Sequence, residues 1–388
     1  MPNRIRLRNW SMQKIISALP VIQRKTKSLF RLFNRAYRQF RVRNAILAIR
    51  SRKYTDRFPS DSRRFAIFMV PGFDIVNGGI MSICSIATET QRLLTANRVS
   101  VSVCTAPGEP RMLRYTKFDN NIELTAFADL LAWFPSGSEV LVHLPELFVR
   151  QYVADNLNLY RSRPDLTWRF NILLQNIDRI PSDDDVAALK QLGDTTITIA
   201  HKASTGAAET LGCPVHYLSW FLAPDGFERV GYASKQKLVA ISPDEHPVKL
   251  EIVREMSKAL PDHRIIEIRN MTYQQYKDVI RDAKFMFTFG EGLDGYFVES
   301  IFSGAISMAI FEERFFTDEY RNFDGVFLDS ARAISGVTDF MRTADNEARF
   351  GAIAERQYSV VESQFNRQRY LHNISSFYDK YYPEWRRP

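Results

Sequence analysis

From residue 65 onward, short apolar runs alternate along the chain with stretches whose apolar residues recur at helical spacing. This alternation is typical of parallel β/α architecture. Nine of the apolar runs have the length of buried strands, and this number favours two open sheets. The predicted strands are 65–70, 99–104, 139–143, 170–174, 196–200, 237–241, 264–268, 285–289 and 305–310.

A segment that contains Pro224, Gly226 and Gly231 lies between the fifth and sixth predicted strands. Such a composition is expected of a hinge between domains. We therefore predict an α/β protein with two Rossmann-like domains, at residues 65–222 and 223–354. Residues 355–388 follow as a C-terminal helical segment.

Residues 1–64 have a different pattern. From Leu29 to Phe40, apolar residues fall on one side of a predicted helix and arginines fall on the other. The segment has 18 Lys and Arg against two acidic residues, whereas the rest of the chain has 34 basic and 42 acidic residues. The net charge of +8 therefore combines a basic helical extension with an acidic body, which argues against a nucleic-acid-binding core.

Such an amphipathic basic helix suits the surface of an anionic bilayer, where each cation adds about 1 kcal/mol. We expect residues 1–60 to contact an anionic membrane surface and expect no nucleic-acid partner. Packing of this helix on the protein itself or on another subunit remains an alternative, as does nucleic-acid binding. The absence of acidic residues before Asp56 also suits a mitochondrial presequence.

Several other classes find no support in the sequence. Cys84, Cys104 and Cys213 are far apart and form no C-x-x-C pair, so neither a disulfide framework nor a zinc site is expected. No apolar run approaches the roughly 20 residues of a membrane-spanning helix, and residues 15–22 lack the cleavage site of a secretory signal. Motifs of serine hydrolases, zinc proteases and phosphate-loop kinases are absent from the sequence. We expect a cytoplasmic protein.

Gly78 and Gly79 follow the first predicted strand and precede a predicted helix at 81–94. Glycines at such a junction let a ligand approach the backbone, and a helix N-terminus attracts anions. A tight turn accounts for a glycine pair equally well, so this loop carries no assignment alone.

The segment after the eighth predicted strand contains two carboxylates, Glu291 and Glu299, separated by seven residues, together with Gly292 and Gly304. We expect Glu291 on the open loop and Glu299 about one turn into the following helix. A carboxylate held at the carboxyl edge of a parallel sheet can accept hydrogen bonds from vicinal ribose hydroxyls. Glu291 is expected nearer to a reacting sugar.

This segment resembles the GT-B glycosyltransferases, which have two Rossmann-like domains and use nucleotide sugars, and among them the retaining E-x7-E family (family 4-like, of bacterial polysaccharide type). The resemblance implies that Glu299 binds the donor ribose and that Glu291 is catalytic and contacts the donor sugar. It implies that Gly78 and Gly79 lie at the phosphate or acceptor side.

The same resemblance implies that His143, at the end of the third predicted strand, faces the donor sugar. A histidine there can donate a hydrogen bond to the sugar or act as a base towards the acceptor. The family also implies that the C-terminal segment 355–388 crosses back to the N-terminal domain and that the sugar is transferred with retention of configuration.

One part of the family pattern is missing. The arginine and lysine that neutralise the diphosphate would fall at Ile241 and His246. We expect the positive charge to come from Lys249 and His246 nearby, or from His201 and Lys202 of the other domain. Lys249 is equally suited to begin an ordinary surface helix.

No metal or cofactor is expected besides the donor substrate. Asp183, Asp184 and Asp185 resemble a metal-binding D-x-D motif, but they open a predicted helix, where acidic residues are favoured by the helix dipole. We interpret them as helix-capping residues.

These features predict a metal-independent, hexosyltransferase-like glycosyltransferase at the inner face of the membrane. Its donor would be a nucleotide-diphosphate sugar, and its acceptor a hydroxyl of a growing, lipid-linked glycan or polysaccharide. Two alternatives remain: a non-catalytic GT-B-like scaffold of a glycan assembly complex, which the missing arginine favours, and a nucleotide-sugar epimerase. The sequence leaves the base, the sugar, the linkage and the oligomeric state open.

Overall fold

The computed structural model describes residue 40 and residues 62–71, 78–105, 124–219 and 226–387. Within these residues, twelve strands form two sheets, of seven and five strands, and every pair of neighbouring strands is parallel. The predicted α/β architecture with two Rossmann-like sheets is confirmed. The basic extension 1–64 and the predicted boundary at 222/223 lie almost entirely outside the described residues.

The first sheet has the strand order β3-β2-β1-β4-β5-β6-β7. This is the order of a dinucleotide-binding doubly wound sheet, in which the strand order reverses between β1 and β4. Its strands are β1 (Arg64–Met69), β2 (Val99–Thr105), β3 (Leu124–Ala126), β4 (Glu139–Pro145), β5 (Thr167–Leu174), β6 (Gly193–Ile199) and β7 (Val215–Tyr217).

The second sheet has the order β12-β11-β10-β8-β9, which is the flavodoxin-like order with a reversal between its first and third strands. Its strands are β8 (Gln236–Ile241), β9 (Arg264–Glu267), β10 (Ala283–Thr288), β11 (Ile306–Ile310) and β12 (Val326–Phe327).

All nine predicted strands are present, with ends that shift by at most three residues. The central residues of eight of them are mostly buried, as expected of parallel strands that are covered by helices on both faces, whereas the edge strand β9 is only half-buried. The three strands that were not predicted, β3, β7 and β12, have only two or three residues each. Such short segments contain no apolar run that a sequence pattern can reveal.

Helices cover both faces of the sheets. Acidic residues 183–185 form the first turn of α4, where Ser182 Oγ accepts a hydrogen bond from the Asp185 backbone N–H, so the capping interpretation is confirmed. The helices are α1 (Gly78–Leu94), α2 (Phe127–Trp133), α3 (Val149–Arg161), α4 (Asp183–Lys190), α5 (Thr205–Glu209), α6 (Lys249–Ala259), α7 (Tyr273–Asp282), α8 (Gly295–Phe302), α9 (Ser330–Ala344), α10 (Glu347–Phe365) and α11 (Arg367–Tyr381).

The C-terminal helical segment expected at 355–388 contains the end of one helix and the whole of a second. Asn366 separates α10 from α11, and its side chain accepts a hydrogen bond from the Arg369 backbone N–H to cap the second helix. α10 lies on the second sheet, where the Gln357 amide bonds both backbone groups of Ser307. α11 lies on the first sheet, where Tyr370, Ile374, Phe377 and Tyr378 join the core formed with β1 and α1.

Among the described residues, no helix is long and apolar enough to cross a bilayer.

Candidate active site

A cavity of about 600 Å³, here called the main cavity, lies between the two sheets. Its lining includes residues that follow the strands at both reversals: Pro71 after β1, Glu146 after β4, Asp244 after β8 and Gly290 after β10. Doubly wound sheets bind ligands outside the carboxyl ends of their strands at these reversals. The strand order of both sheets therefore determines where the cavity lies.

Glu299 lies in the second turn of α8 and lines the main cavity. Its side chain is almost completely buried, with 3% of the residue exposed. Burial raises the pKa of the Glu299 carboxyl to about 8, while the Tyr276 hydroxyl and the charge of Lys277 oppose this rise. A buried carboxyl without a salt-bridge partner among the described residues is suited to a ligand that brings its own hydrogen-bond donors.

Glu291 connects the two sheets across the main cavity. Its Oε1 accepts a hydrogen bond from Asn176 Nδ2 at 2.7 Å, and its Oε2 lies 3.5 Å from His201 Nε2. Asn176 follows β5 and His201 follows β6, whereas Glu291 follows β10. We call these contacts the Glu291 bridge. The structure thus places Glu291 in the main cavity facing the first sheet.

Glu146 begins the helical turn that follows β4 and also lines the main cavity. Its Oε1 accepts a hydrogen bond from the Asn176 backbone N–H at 3.2 Å. Burial raises the pKa of the Glu146 carboxyl to about 7, and the nearby Glu291 adds to the rise. A carboxyl that titrates near neutral pH can take up or release a proton during a reaction.

The structure does not bring His143 to the main cavity, contrary to our expectation. β4 continues two residues beyond His143 to Pro145, and the side chain lies inside the protein, against Phe68 and α11. Asn171 Nδ2 donates to His143 Nδ1 at 3.0 Å, and Nε2 lies 3.3 Å from Tyr378 Oη. Burial lowers the pKa of His143 to about 3, so the ring stays neutral. His143 is a hydrogen-bonded core residue.

Gly78 and Gly79 line the main cavity at the N-terminus of α1. Gln175 Nε2 donates a hydrogen bond to the Gly79 carbonyl at 3.2 Å, which holds this helix end against β5. Among the described residues, apart from its chain neighbours and the backbone of its own helix, no heavy atom lies within 4 Å of the position that a Cβ on Gly78 would take. A helix N-terminus that lines a cavity is a place where an anion can bind.

Gly292 shapes the loop rather than lining the main cavity. It has φ +80°, and a Cβ at this position would lie 2.3 Å from a ring carbon of Phe316. Only glycine fits this combination of backbone angle and close contact. The turn that it permits leads the chain from Glu291 into α8.

The lysine and histidine expected to bind the diphosphate do not line the main cavity. Lys249 Nζ donates to the carbonyls of Ser242 and Asp244, both at 2.9 Å, and forms a 2.5 Å salt bridge with Glu267. His246 packs near the ring of Phe289, and burial lowers its pKa. Lys249 thus fixes the loop after β8, and its charge is already neutralised there. This corrects the expectation for both residues.

Lys202, the third expected cation, lines a smaller neighbouring cavity instead. Two arginines that the sequence analysis missed, Arg179 and Arg314, line the main cavity. Arg314 pairs with Asp178 at 2.5 Å and with Glu312 at 3.0 Å, whereas Arg179 has no salt-bridge partner in the described part of the chain. These arginines follow β5 and β11, and no shared motif connects them in the sequence.

Acidic side chains outnumber basic ones around the main cavity. Burial is the largest cause of the raised pKa values of Glu146, Asp294 and Glu299, so the cavity is less negative at neutral pH than its seven carboxyls suggest. In the described residues no three or more His, Cys, Asp or Glu side chains are grouped so that they could hold a metal ion. The carboxyl groups belong to Glu146, Asp178, Asp244, Glu245, Glu291, Asp294 and Glu299.

No protein-family model matches the chain, and no curated protein matches it in sequence. Several solved structures match its fold. HepE from Anabaena in complex with UDP-glucose matches with a TM-score of 0.57 and 10% identity over 81% of this chain and 99% of its own. An alpha-glucosyltransferase in complex with UDP matches with a TM-score of 0.55 and 9% identity over 82% of this chain and 100% of its own.

A third structure, sucrose-phosphate synthase from Thermosynechococcus elongatus, matches with a TM-score of 0.51 and 9% identity over 83% of this chain and 100% of its own. At such low identity the likeness is one of fold. The seven-stranded and five-stranded sheets, with the main cavity between them, have the fold of the GT-B glycosyltransferases.

Proposed function

We propose that this chain is a glycosyltransferase that moves a sugar from a nucleoside-diphosphate sugar to a hydroxyl group of an acceptor. The observation that carries the proposal is the pair Glu291 and Glu299, which both line a cavity at the reversal of the second sheet. The chain shares its fold with proteins solved in complex with UDP or UDP-glucose, and this likeness supports the same function.

The donor would be held from both sides of the main cavity. Glu299 accepts hydrogen bonds from the ribose hydroxyls, and Glu291 contacts the donor sugar. The N-terminus of α1 at Gly78 and Gly79 contributes backbone N–H groups to the acceptor side or to the diphosphate. Arg179, which lines the main cavity and has no salt-bridge partner among the described residues, supplies the positive charge that the sequence lacks at its usual place.

Transfer breaks the bond between the anomeric carbon and the diphosphate oxygen and forms a bond to the acceptor oxygen. The departing diphosphate takes the electron pair and is stabilised by Arg179. In its ionised form, Glu146, whose pKa lies near 7, accepts the proton of the acceptor hydroxyl. Most of the rate increase comes from holding the two substrates in reacting geometry.

The finer features of the proposal rest on the sequence. They are transfer of a hexose with retention of configuration and without a metal ion, a lipid-linked glycan or polysaccharide as acceptor, and a cytoplasmic location. Contact of residues 1–60 with the inner face of an anionic membrane would bring the main cavity close to such an acceptor.

A panel of nucleoside diphosphates tests the proposal. One of them should raise the melting temperature of the purified chain, because a ligand that binds only the folded state stabilises it. Glu299→Ala should weaken the binding of that nucleotide by about 10-fold or more in calorimetry, since hydrogen bonds to a charged group contribute about 1.5–3 kcal/mol. Glu251→Ala, at an exposed position of α6, is the matched control and should bind as the wild type does.

A second candidate is a non-catalytic scaffold with the same fold. The observation in its favour is that Lys249 is engaged with Glu267 and that His246 lies away from the main cavity. A flat response to every nucleoside diphosphate, with no hydrolysis of any nucleotide sugar, would support the scaffold and overturn the enzyme.

A further inference from the structure

A second cavity, here called the side cavity, lies beside the main cavity and has a volume of about 210 Å³. The first sheet contributes Lys202 and Tyr217 to its wall, and α11 contributes Arg369 and Asn373. His201 and Phe315 line both cavities and separate them.

Two cationic side chains line the side cavity. Lys202 Nζ lies 5.5 Å from the ring centre of Tyr217, and the charge of Arg369 opposes the rise in the Tyr217 pKa that burial causes. In the parts of the chain that the structure describes, neither cation is paired with a carboxylate. Both charges are therefore available to an anionic ligand.

Asn373 adds a neutral donor. Its backbone carbonyl lies 2.9 Å from His216 Nε2, whereas its side-chain Nδ2 is buried and has no hydrogen-bond partner among the described residues. Buried amide groups in proteins are nearly always paired. An acceptor oxygen of a ligand in the side cavity would supply the missing partner.

The one carboxylate in the side cavity, among the described residues, is already engaged by its neighbours. Glu319 Oε1 accepts hydrogen bonds from Thr317 Oγ1 at 2.7 Å and from Gln364 Nε2 at 2.9 Å. These hydrogen bonds orient the Glu319 carboxylate towards donors of the protein. The donors that remain, Lys202, Arg369 and Asn373, suit the oxygens of a phosphate group.

The size of the side cavity limits the ligand. A volume of 210 Å³ corresponds to about seven water molecules at roughly 30 Å³ each. A phosphate group fits with room for a monosaccharide, whereas a whole nucleotide sugar needs a space such as the main cavity. The ligand is thus small and distinct from the donor.

We propose that the side cavity binds a phosphate group, with Lys202, Arg369 and Asn373 as the residues that hold it. The group is either free inorganic phosphate or the phosphate of a phosphorylated monosaccharide. This site is separate from the donor site of the proposed function and stands independently of it.

Calorimetry of the full chain with inorganic phosphate and with a hexose 6-phosphate tests the proposal, and the unphosphorylated hexose serves as the ligand control. At least one phosphate compound should bind. Arg369→Gln and Lys202→Gln should each raise its Kd by about 10-fold or more. Arg349→Gln, at an exposed position of α10, should leave the Kd unchanged.

Lys202 and Arg369 are both exposed, so their substitution should leave the fold intact, and thermal unfolding checks this. Binding of the hexose phosphate alone would identify a phosphorylated sugar as the ligand, and equal binding of both compounds would identify free phosphate. Absence of binding by either compound, or an unchanged Kd in both cavity variants, would overturn the proposal. The nucleoside-diphosphate panel is read separately, so failure of one proposal does not imply failure of the other.

Discussion

Burial controls the protonation of the carboxyl groups around the main cavity. Glu299 has a pKa of about 8 and Glu146 of about 7, against an ordinary value of 4.5. In the empty cavity at neutral pH, Glu299 is therefore mostly protonated. Hydrogen bonds from two ribose hydroxyls favour the ionised form, so in the proposed function the binding of a nucleoside to Glu299 should release a proton.

The stability of the protein should fall as the pH rises through these pKa values. A carboxyl whose pKa is raised in the folded state contributes its full stabilisation below its ordinary pKa of about 4.5, and this contribution is lost as the pH passes the folded-state value. We predict that Glu299→Gln, which cannot ionise, reduces the loss of free energy of unfolding between about pH 5 and pH 9. Denaturant titrations across this pH range measure the free energy of unfolding.

Glu251→Gln, exposed on α6, should keep the pH dependence of the wild type. If Glu299→Gln had the same pH dependence as the wild type, Glu299 would titrate near its ordinary pKa, and the burial argument would be wrong.

The part of the site that could be predicted consists of residues that come shortly after a predicted strand. Glu291, Glu299, Gly78 and Gly79 line the main cavity as expected, because each follows a strand that its apolar run reveals. Arg179 and Arg314 were missed because their proximity comes from the packing of two sheets. Nothing local distinguishes them from other surface arginines.

At the scale of elements, the length of strand β4 determines where the predicted site residue His143 lies. Side chains alternate between the faces of a strand, and only residues beyond its carboxyl end reach the crevice. The sequence pattern ended this strand at His143, but β4 continues to Pro145, which places Glu146 at the main cavity and His143 in the core. Apolar runs locate strands well but give their ends only to within a few residues.

The buried side chains of α11 complete the core of the first sheet although the helix follows α10 of the second. We predict that Phe377→Ala lowers the free energy of unfolding by about 3–5 kcal/mol, the usual range for a buried phenylalanine. Phe377 packs near the rings of His143, His216 and Tyr378. Denaturant unfolding measures the change, and His372→Ala, exposed on the same helix, is the control. A loss below about 1 kcal/mol would mean that α11 is not part of this core.

At the scale of the whole molecule, charge divides the chain into a basic extension and an acidic body. We predict that the full chain sediments with vesicles that contain anionic lipids and that deletion of residues 1–60 abolishes this. Neutral phosphatidylcholine vesicles and high salt are the controls, because screening weakens electrostatic binding. If the shortened chain still sedimented with the vesicles, the body of the protein rather than the extension would make the membrane contact.

In the proposed function, a donor sugar that contacts Glu291 would compete with the Glu291 bridge. Both oxygens of Glu291 already face partners in the first sheet, Asn176 and His201. A sugar hydroxyl that displaced one of these partners would have a measured affinity equal to the difference between the new contact and the old one. In the proposed function, a nucleotide without a sugar would leave the bridge in place. The sugar, rather than the nucleotide, would be the part of the donor that weakens the Glu291 bridge, while the salt bridge between Arg314 and Asp178 still joins the two sheets.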